Sequence, residues 1–446
     1  MVTEAYEDLQ FLENLEARYN IKTDSTFSSL VHFQTTTNKP FQRWYPYREG
    51  YSYELVTEFI DRYKVKGALL DPFSGSGSSL LAGKKKGIKT FGIDVNPIAI
   101  FISTVETQNY SFEDIKELKE SIQWFNFLLR DNMNRQTDFS LAESYFNEDI
   151  LQSLLQIRDN ILAIDNKKVR DIFFLSWLSI IENVSYVKKE GNGLKYKNRK
   201  RLKKGYETIP LDKWDQDHFP VDKFEYIKEK IESNISIVLN DIEHYQIDNA
   251  PIPQLFHGNS TEVIPTLDTE FELTIFSPPY VNFFDYFEIH KTELWLGEFI
   301  SSKEELKKLK KLGLRSNSGS TVSKKNSHTN KSVEHLTKLI STKKLWSNKI
   351  MEVVSGYFDD MESLLIEIYK KTINNGRVAI VVGNSAYGGI IVPSDLLIAE
   401  IGEKIGFSVE EIIITRHLTT SSQQKVKLEP VISYLRESIV ILKKEV

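Results

Sequence analysis

Apolar positions along the chain change their period twice, and the changes mark out its elements. Val65, Ala68, Leu69 and Leu70 form a short apolar run that predicts a buried strand, residues 78–86 a helix stopped by Gly87, and residues 88–93 a second strand. Together these make a β-loop-α-β unit. From about residue 111 to 248 the period becomes helical, as in Ile150, Leu151, Leu154, Leu155, Ile157 and Ile161, then Ile172, Phe173, Leu175, Trp177, Leu178 and Ile181. Strand-like runs return at 273–276, 377–382, 411–415 and 438–442, with a helix expected over 359–372. The expectation is an α/β fold whose sheet is assembled from both ends of the chain around a mostly helical insertion. Asn374-Asn375-Gly376 reads as a helix stop and turn, and Gly383-Asn384-Ser385 as a loop at the C-terminal end of the next strand, the edge where parallel sheets bind ligands.

Composition narrows the class. At 446 residues, 41% hydrophobic and 27% charged, the chain can bury a large core divided between two or more lobes. No apolar run approaches the roughly 20 residues of a membrane helix, and the acidic start Met1-Val2-Thr3-Glu4-Ala5-Tyr6-Glu7-Asp8 lacks the basic opening of a signal peptide. A soluble protein of the cytosol or nucleoid, with no membrane partner, is expected. Cysteine is absent, which excludes disulfides, thiolate zinc sites and a cysteine nucleophile. The eight histidines show no ligand spacing, so no metal is expected.

A net charge of −5 argues against a phosphate-rich partner, but the distribution argues for one. Residues 188–204 are almost all of one sign, with Lys195, Lys197, Arg199, Lys200 and Arg201 at their centre, and a second basic stretch runs from Lys303 to Lys344. Two such runs in a chain acidic elsewhere predict a phosphate-binding cleft. Residues 316–332, rich in Ser, Asn and Lys, are expected to be disordered until a partner arrives.

Two motifs carry the candidate chemistry. Asp71-Pro72-Phe73-Ser74-Gly75-Ser76-Gly77 joins a strand to a helix, where glycines allow backbone to come close to a ligand. A nucleoside triphosphate loop requires four residues between glycines and then Lys-Ser/Thr, whereas Gly77 to Gly83 encloses five and Lys85 follows Lys84. A dinucleotide fingerprint requires a small residue where Leu80 stands. S-adenosylmethionine needs only the close approach and an acid ending the next strand, and Asp94 stands there. The second motif, Ser277-Pro278-Pro279-Tyr280, closes the apolar run 271–276.

Asp71 to Gly77, with Gly92-Ile93-Asp94-Val95-Asn96-Pro97 and Ser277 to Tyr280, resembles the motifs of the S-adenosylmethionine-dependent amino-methyltransferases of DNA, over roughly residues 30–110 and 255–445. The resemblance implies a Rossmann-like methyltransferase sheet with Phe73, Gly75 and Gly77 lining the cofactor, Asp71 near its methionine end and Asp94 on its ribose. His257-Gly258-Asn259-Ser260 resembles the third cofactor motif, although an acid is commoner where Asn259 stands. In that family the Ser277 oxygen and the Pro278 carbonyl would accept the hydrogens of a base amine, localising its lone pair, while the prolines keep that carbonyl edge rigid. Tyr280 would stack on a base flipped from the helix. The absent cysteine excludes methylation at pyrimidine C5 through a thiolate adduct. Phe283, Phe284 and Tyr286 are candidates for the base pocket wall, and Phe287 and Trp295 for the core. The loop 39–52 would either cover the cofactor, touch DNA or strap the core.

The implied layout is an N-terminal segment 1–66 packed on a catalytic domain of 67–110 and 255–446, a helical insertion 111–254 as candidate target-recognition region, and a basic flexible insert 301–349. The implied function is site-specific methylation of an exocyclic amine in double-stranded DNA, cytosine N4 in preference to adenine N6, with a cognate restriction endonuclease as candidate partner. Ser in the first motif position is commoner among cytosine-N4 enzymes of that family, whereas the motif order here is the opposite of many of them. Adenine N6, an RNA substrate and a DNA-binding relative with a dead cofactor pocket remain open.

Overall fold

A computed structural model describes residues 2–32, 38–191, 193–202, 205–247, 249–317, 319–320, 330–420 and 422–446. Eight strands, β1 (Ile21–Thr23), β2 (Ala68–Asp71), β3 (Thr90–Asp94), β4 (Gln254–His257), β5 (Phe271–Phe276), β6 (Thr372–Gly383), β7 (Phe407–His417) and β8 (Arg436–Lys444), form one sheet in the order β1-β7-β8-β6-β5-β2-β3-β4. β8 runs antiparallel to both neighbours, and every other pairing is parallel. The C-terminal ends of β2, β3, β5 and β6 therefore open on one edge, where the antiparallel β8 begins.

The central strands are apolar on both faces because both faces are covered. Along β6, Val378, Ile380 and Val382 enter one core with the helices Ile350–Lys371 and Ser394–Ile405, while Ala379 and Val381 enter the opposite core with the helix Tyr53–Tyr63. β8 alternates in the same way, Val440 and Leu442 against Ile439 and Ile441. A third core belongs to the insertion. Its helices Glu148–Leu162, Lys167–Val184 and Lys223–Tyr245 begin at Asn147, Asn166 and Asp222, the two asparagines accepting two backbone N–H groups each and Asp222 one. Their apolar stripes meet Ile98, Ile102 and Val105 of the helix Pro97–Thr107, so the insertion packs directly on the β-loop-α-β unit.

Four features depart from the sequence reading. The first strand pair lies a little later than expected, at β2 and β3. The turn 374–376 does not end the pairing: β6 is assigned from Thr372, with a register break before Arg377 and Asn375 at φ 63°. The insertion also carries two hairpins, Val187–Glu190 with Gly193–Tyr196 and Arg199–Arg201 with Tyr206–Thr208. The stretch 301–349 contains the helices Lys303–Leu312 and Lys331–Ser341, while much of the expected disordered segment, residues 318 and 321–329, lies outside the described residues. Among described residues no helix is long and apolar enough to cross a membrane, and no cluster of three metal-ligating side chains occurs.

Candidate active site

β2 ends at Asp71, whose buried carboxylate accepts from Tyr51 Oη at 3.0 Å, from the Phe73 N–H at 3.0 Å and from the Ser79 hydroxyl. Burial pushes its carboxyl up to about 7 despite those three donors. The chain then turns through Gly75 at φ 50° and Gly77 at φ 87°, left-handed values that glycine adopts without strain. Gly77 also permits a close approach, because a Cβ there would lie 2.9 Å from Ser103 Cβ. The loop is held from the neighbouring strand end: Asp94 Oδ2 accepts the Gly75 N–H at 2.9 Å and Oδ1 the Asn96 N–H at 2.8 Å.

A cavity of about 440 Å³ opens beside this loop at the C-terminal edge of the sheet. Phe73, Gly75, Asp94, Val95 and Asn259 line one part of it, and Ser277, Pro278, Pro279, Tyr280, Phe284 and Tyr286 another. Residues almost two hundred positions apart are thus brought to one cavity. Asn259 caps the helix Ser260–Val263 by accepting from the Thr261 N–H, and its amide donates to the Leu312 carbonyl at 2.8 Å, so the segment after the helix Lys303–Leu312 closes over that end.

Three of the expected site residues stand outside the lining of this cavity. Asp71 and Gly77 do not line the cavity; Asp71 sits behind the loop as its anchor, and Gly77 faces Ser103. Phe283 turns away at φ 62° to pack on Trp346 and Tyr387, with ring centroids 4.8 and 5.8 Å off. Phe287, expected in the core, is buried there and also reaches the cavity wall.

The turn 277–280 follows β5 directly. Its exit is fixed by the Val281 carbonyl, which accepts from Ser385 Oγ at 2.7 Å and Tyr387 Oη at 2.5 Å. Tyr280 Oη donates to Glu437 Oε1 at 2.8 Å. Lys84 is spent elsewhere: its ammonium donates to the Thr107 and Gln108 carbonyls at 2.6 and 2.9 Å. That ammonium is thereby turned away from any triphosphate in the cavity.

The loop 39–52 both straps the core and walls the cavity. Asp241 receives the Phe41 N–H at 3.0 Å, Trp44 Nε1 at 2.9 Å and Arg43 Nε at 3.0 Å, while Tyr47 to Tyr51 line the cavity. Glu49 faces His290 Nε2 at 3.4 Å, and Lys189, on the first hairpin of the insertion, reaches His290 Nδ1 at 3.1 Å and Glu293 Oε1 at 2.6 Å. Burial pushes Glu49 up, but His290 and Lys189 outweigh it and hold the carboxyl below its ordinary range. Glu49, Lys189 and Glu437 line the cavity, and sequence reasoning singled out none of them. The available signal was the crowding of 39–52 with aromatic and charged residues.

Of the basic loop, Lys195, Arg199, Lys200 and Arg201 lie exposed at the surface, and the Arg199 guanidinium lies over the Tyr196 ring at 4.7 Å. Lys197 departs from them. Its ammonium donates to the Ser185 carbonyl at 2.8 Å, the Asn183 carbonyl at 3.2 Å and the Glu182 carbonyl, capping the helix Lys167–Val184, and burial lowers it to about 8.

The chain is similar along nearly its whole length to Type II methyltransferases. Its sequence is 28% identical to M.AvaI of Nostoc sp. over 91% of this chain and 87% of that protein. It is 28% identical to M.BsoBI of Geobacillus stearothermophilus over 95% and 89%, and 23% identical to M.MvaI of Kocuria varians over 88% and 87%. No family model matches. A solved rRNA methyltransferase, aviRa of Streptomyces viridochromogenes, aligns with a TM-score of 0.26 and 8% identity, too distant to bear on the fold.

This similarity supports a methyltransferase that depends on S-adenosylmethionine, and the mixed α/β sheet with its helical insertion is consistent with a Rossmann-like methyltransferase fold. The cavity suits that cofactor: backbone at Gly75 gives close approach, Phe73 and Val95 give apolar wall, and the carboxylates of Asp94 and Glu49 can meet hydroxyls and a cation.

Proposed function

We propose that the protein transfers a methyl group from S-adenosylmethionine to the exocyclic amine of a base flipped out of double-stranded DNA, at cytosine N4. The observation that carries this reading is one cavity lined both by Gly75 and Asp94 and by Ser277, Pro278 and Tyr280. When bound there, the cofactor supplies an electrophilic methyl group.

The chain supplies position. The Ser277 oxygen and the Pro278 carbonyl accept the amine hydrogens, drawing the nitrogen towards tetrahedral geometry and freeing its lone pair. Tyr280 offers a ring face for stacking, with Phe284 and Tyr286 as further wall. Asp94 takes the ribose hydroxyls while remaining braced by two backbone N–H groups, and Asn259 stands at the adenine end. Proximity and orientation of this kind are worth about 7–11 kcal/mol in favourable cases. Lys195, Arg199, Lys200 and Arg201 would meet DNA phosphates, residues 111–254 would carry target recognition, and the enzyme would act on nucleoid DNA in the cytosol beside a cognate restriction endonuclease.

One observation favours a second reading, adenine N6: the cofactor motif precedes the Ser-Pro-Pro-Tyr turn, with the candidate recognition region between them. Incubation with S-adenosylmethionine and mixed-sequence duplex DNA, followed by nucleoside mass spectrometry, decides. N4-methylcytosine supports the proposal, N6-methyladenine keeps the site and changes the base, and a methylated nucleoside from RNA alone overturns the substrate.

A further inference from the structure

Tyr280 is held from two sides by a single cross-strand rung. Gly383, the last residue of β6, pairs with Glu437 of β8, and Glu437 pairs with Arg416 of β7. Neighbours on a rung share a face of the sheet, so the three stand side by side at the cavity edge. Gly383 makes room for the ring, since a Cβ there would lie 2.7 Å from Tyr280 Cε2. Glu437, only 2% exposed, accepts from Tyr280 Oη at 2.8 Å and from Arg416 Nε at 2.6 Å.

The rung is itself braced. Asp395 accepts from Asn384 Nδ2 at 2.8 Å, Arg436 Nε at 2.8 Å and Ser438 Oγ at 2.9 Å, tying the residues that flank Gly383 and Glu437 to the helix Ser394–Ile405. A buried carboxylate that serves two donors and sits in a braced ladder fixes the ring's angle rather than merely tolerating it.

We propose that this rung is the seat that orients Tyr280 towards the flipped base, with Glu437 as a positioning residue and Arg416 as its counter-ion. The proposal rests on the methyl-transfer reading above. A carboxylate accepts from both Tyr280 and Arg416, whereas an amide accepts from one and turns an NH₂ donor towards the other. Glu437→Gln therefore releases one partner without changing volume.

The test is a double-substitution cycle on the full-length protein, with kcat measured on mixed-sequence duplex DNA, S-adenosylmethionine affinity by calorimetry and thermal midpoint by calorimetric scan. Glu437→Gln and Tyr280→Phe should each lower kcat about tenfold with cofactor affinity retained and the thermal midpoint lowered by only a few degrees, since the lost bond to a buried charged group also contributes to stability. Combined, they should cost no more than either alone. Gly383→Ala, which removes neither hydrogen-bonding group, should lower kcat by displacing the ring and with it the hydroxyl that meets Glu437. Effects that multiply, or Tyr280→Phe at wild-type kcat, would overturn the seat; the second outcome decides even if Glu437→Gln fails to fold. A wild-type protein that methylates neither DNA nor RNA would instead remove the reading beneath it.

Discussion

Lys189 Nζ lies 2.6 Å from Glu293 Oε1, with the two side chains 6% and 2% exposed. The pair joins the first hairpin of the insertion to the helix Lys291–Leu296, and Tyr45 Oη donates to the same carboxylate at 3.1 Å. Burial pushes Glu293 up, but the Lys189 ammonium and His290 outweigh it and bring the carboxyl down to about 2. Arg48 completes the junction by donating to Glu182 at 2.7 Å and to the Lys189 carbonyl.

Lys189→Met should be far costlier than its single charge implies, because it leaves Glu293 buried and unpaired, a loss of about 3–5 kcal/mol. Chemical denaturation should show the loss. Glu293→Gln should flatten the acid limb: a depressed carboxyl contributes stability present above its unfolded value and lost as pH falls towards about 2. A Lys189→Met midpoint equal to wild type would mean that the hairpin is not anchored through this pair.

Asp94→Ala and Tyr280→Ala should separate binding from chemistry. Removing Asp94 takes away a buried hydrogen-bond acceptor at the cavity wall, so S-adenosylmethionine affinity measured by calorimetry should fall about ten- to hundredfold. Tyr280→Ala should leave that affinity in place and lower kcat by about five- to hundredfold, the worth of one stacked base. If both variants lost only thermal stability, neither residue would belong to the site.

Asp71 should give the stability a pH dependence opposite to that of Glu293. Its carboxyl is raised from 3.8 to about 7, so the folded state holds a proton that the unfolded state has released between those values. The contribution is fully present below pH 3.8, declines as pH rises and is lost above about 7. In thermal scans from pH 4 to pH 8, Asp71→Asn should remove this decline. An unaltered slope in the variant would show that Asp71 ionises in the fold within the ordinary carboxylate range.

Neutralising Lys195, Arg199, Lys200 and Arg201 together should flatten the salt dependence of DNA binding, by about 0.9 in logarithmic slope for each phosphate that no longer meets a cation. Lys197→Met should leave that slope alone and lower thermal stability, since its ammonium caps a helix. A fourfold variant with the wild-type slope would make the loop a solvated surface.

Local chemistry made the two motif loops legible in the sequence. Glycines at left-handed turns, an acid ending the next strand and a rigid Pro-Pro turn are short-range requirements, met by neighbours in the chain. The helical stripes of the insertion were legible for the same reason, since a period of 3.6 is written in adjacent residues. Tertiary structure decided what depends on distant partners. Lys189 and Lys197 read as members of a basic run, yet carboxylates and carbonyls from other elements draw their ammonium groups inside. Asp71 reads as a residue near the cofactor, and its role as anchor of the loop shows only where Tyr51 and Ser79 donate to it. Glu437 carries no motif at all. Only the antiparallel entry of β8 between β6 and β7 sets it beside Gly383 and under the hydroxyl of Tyr280.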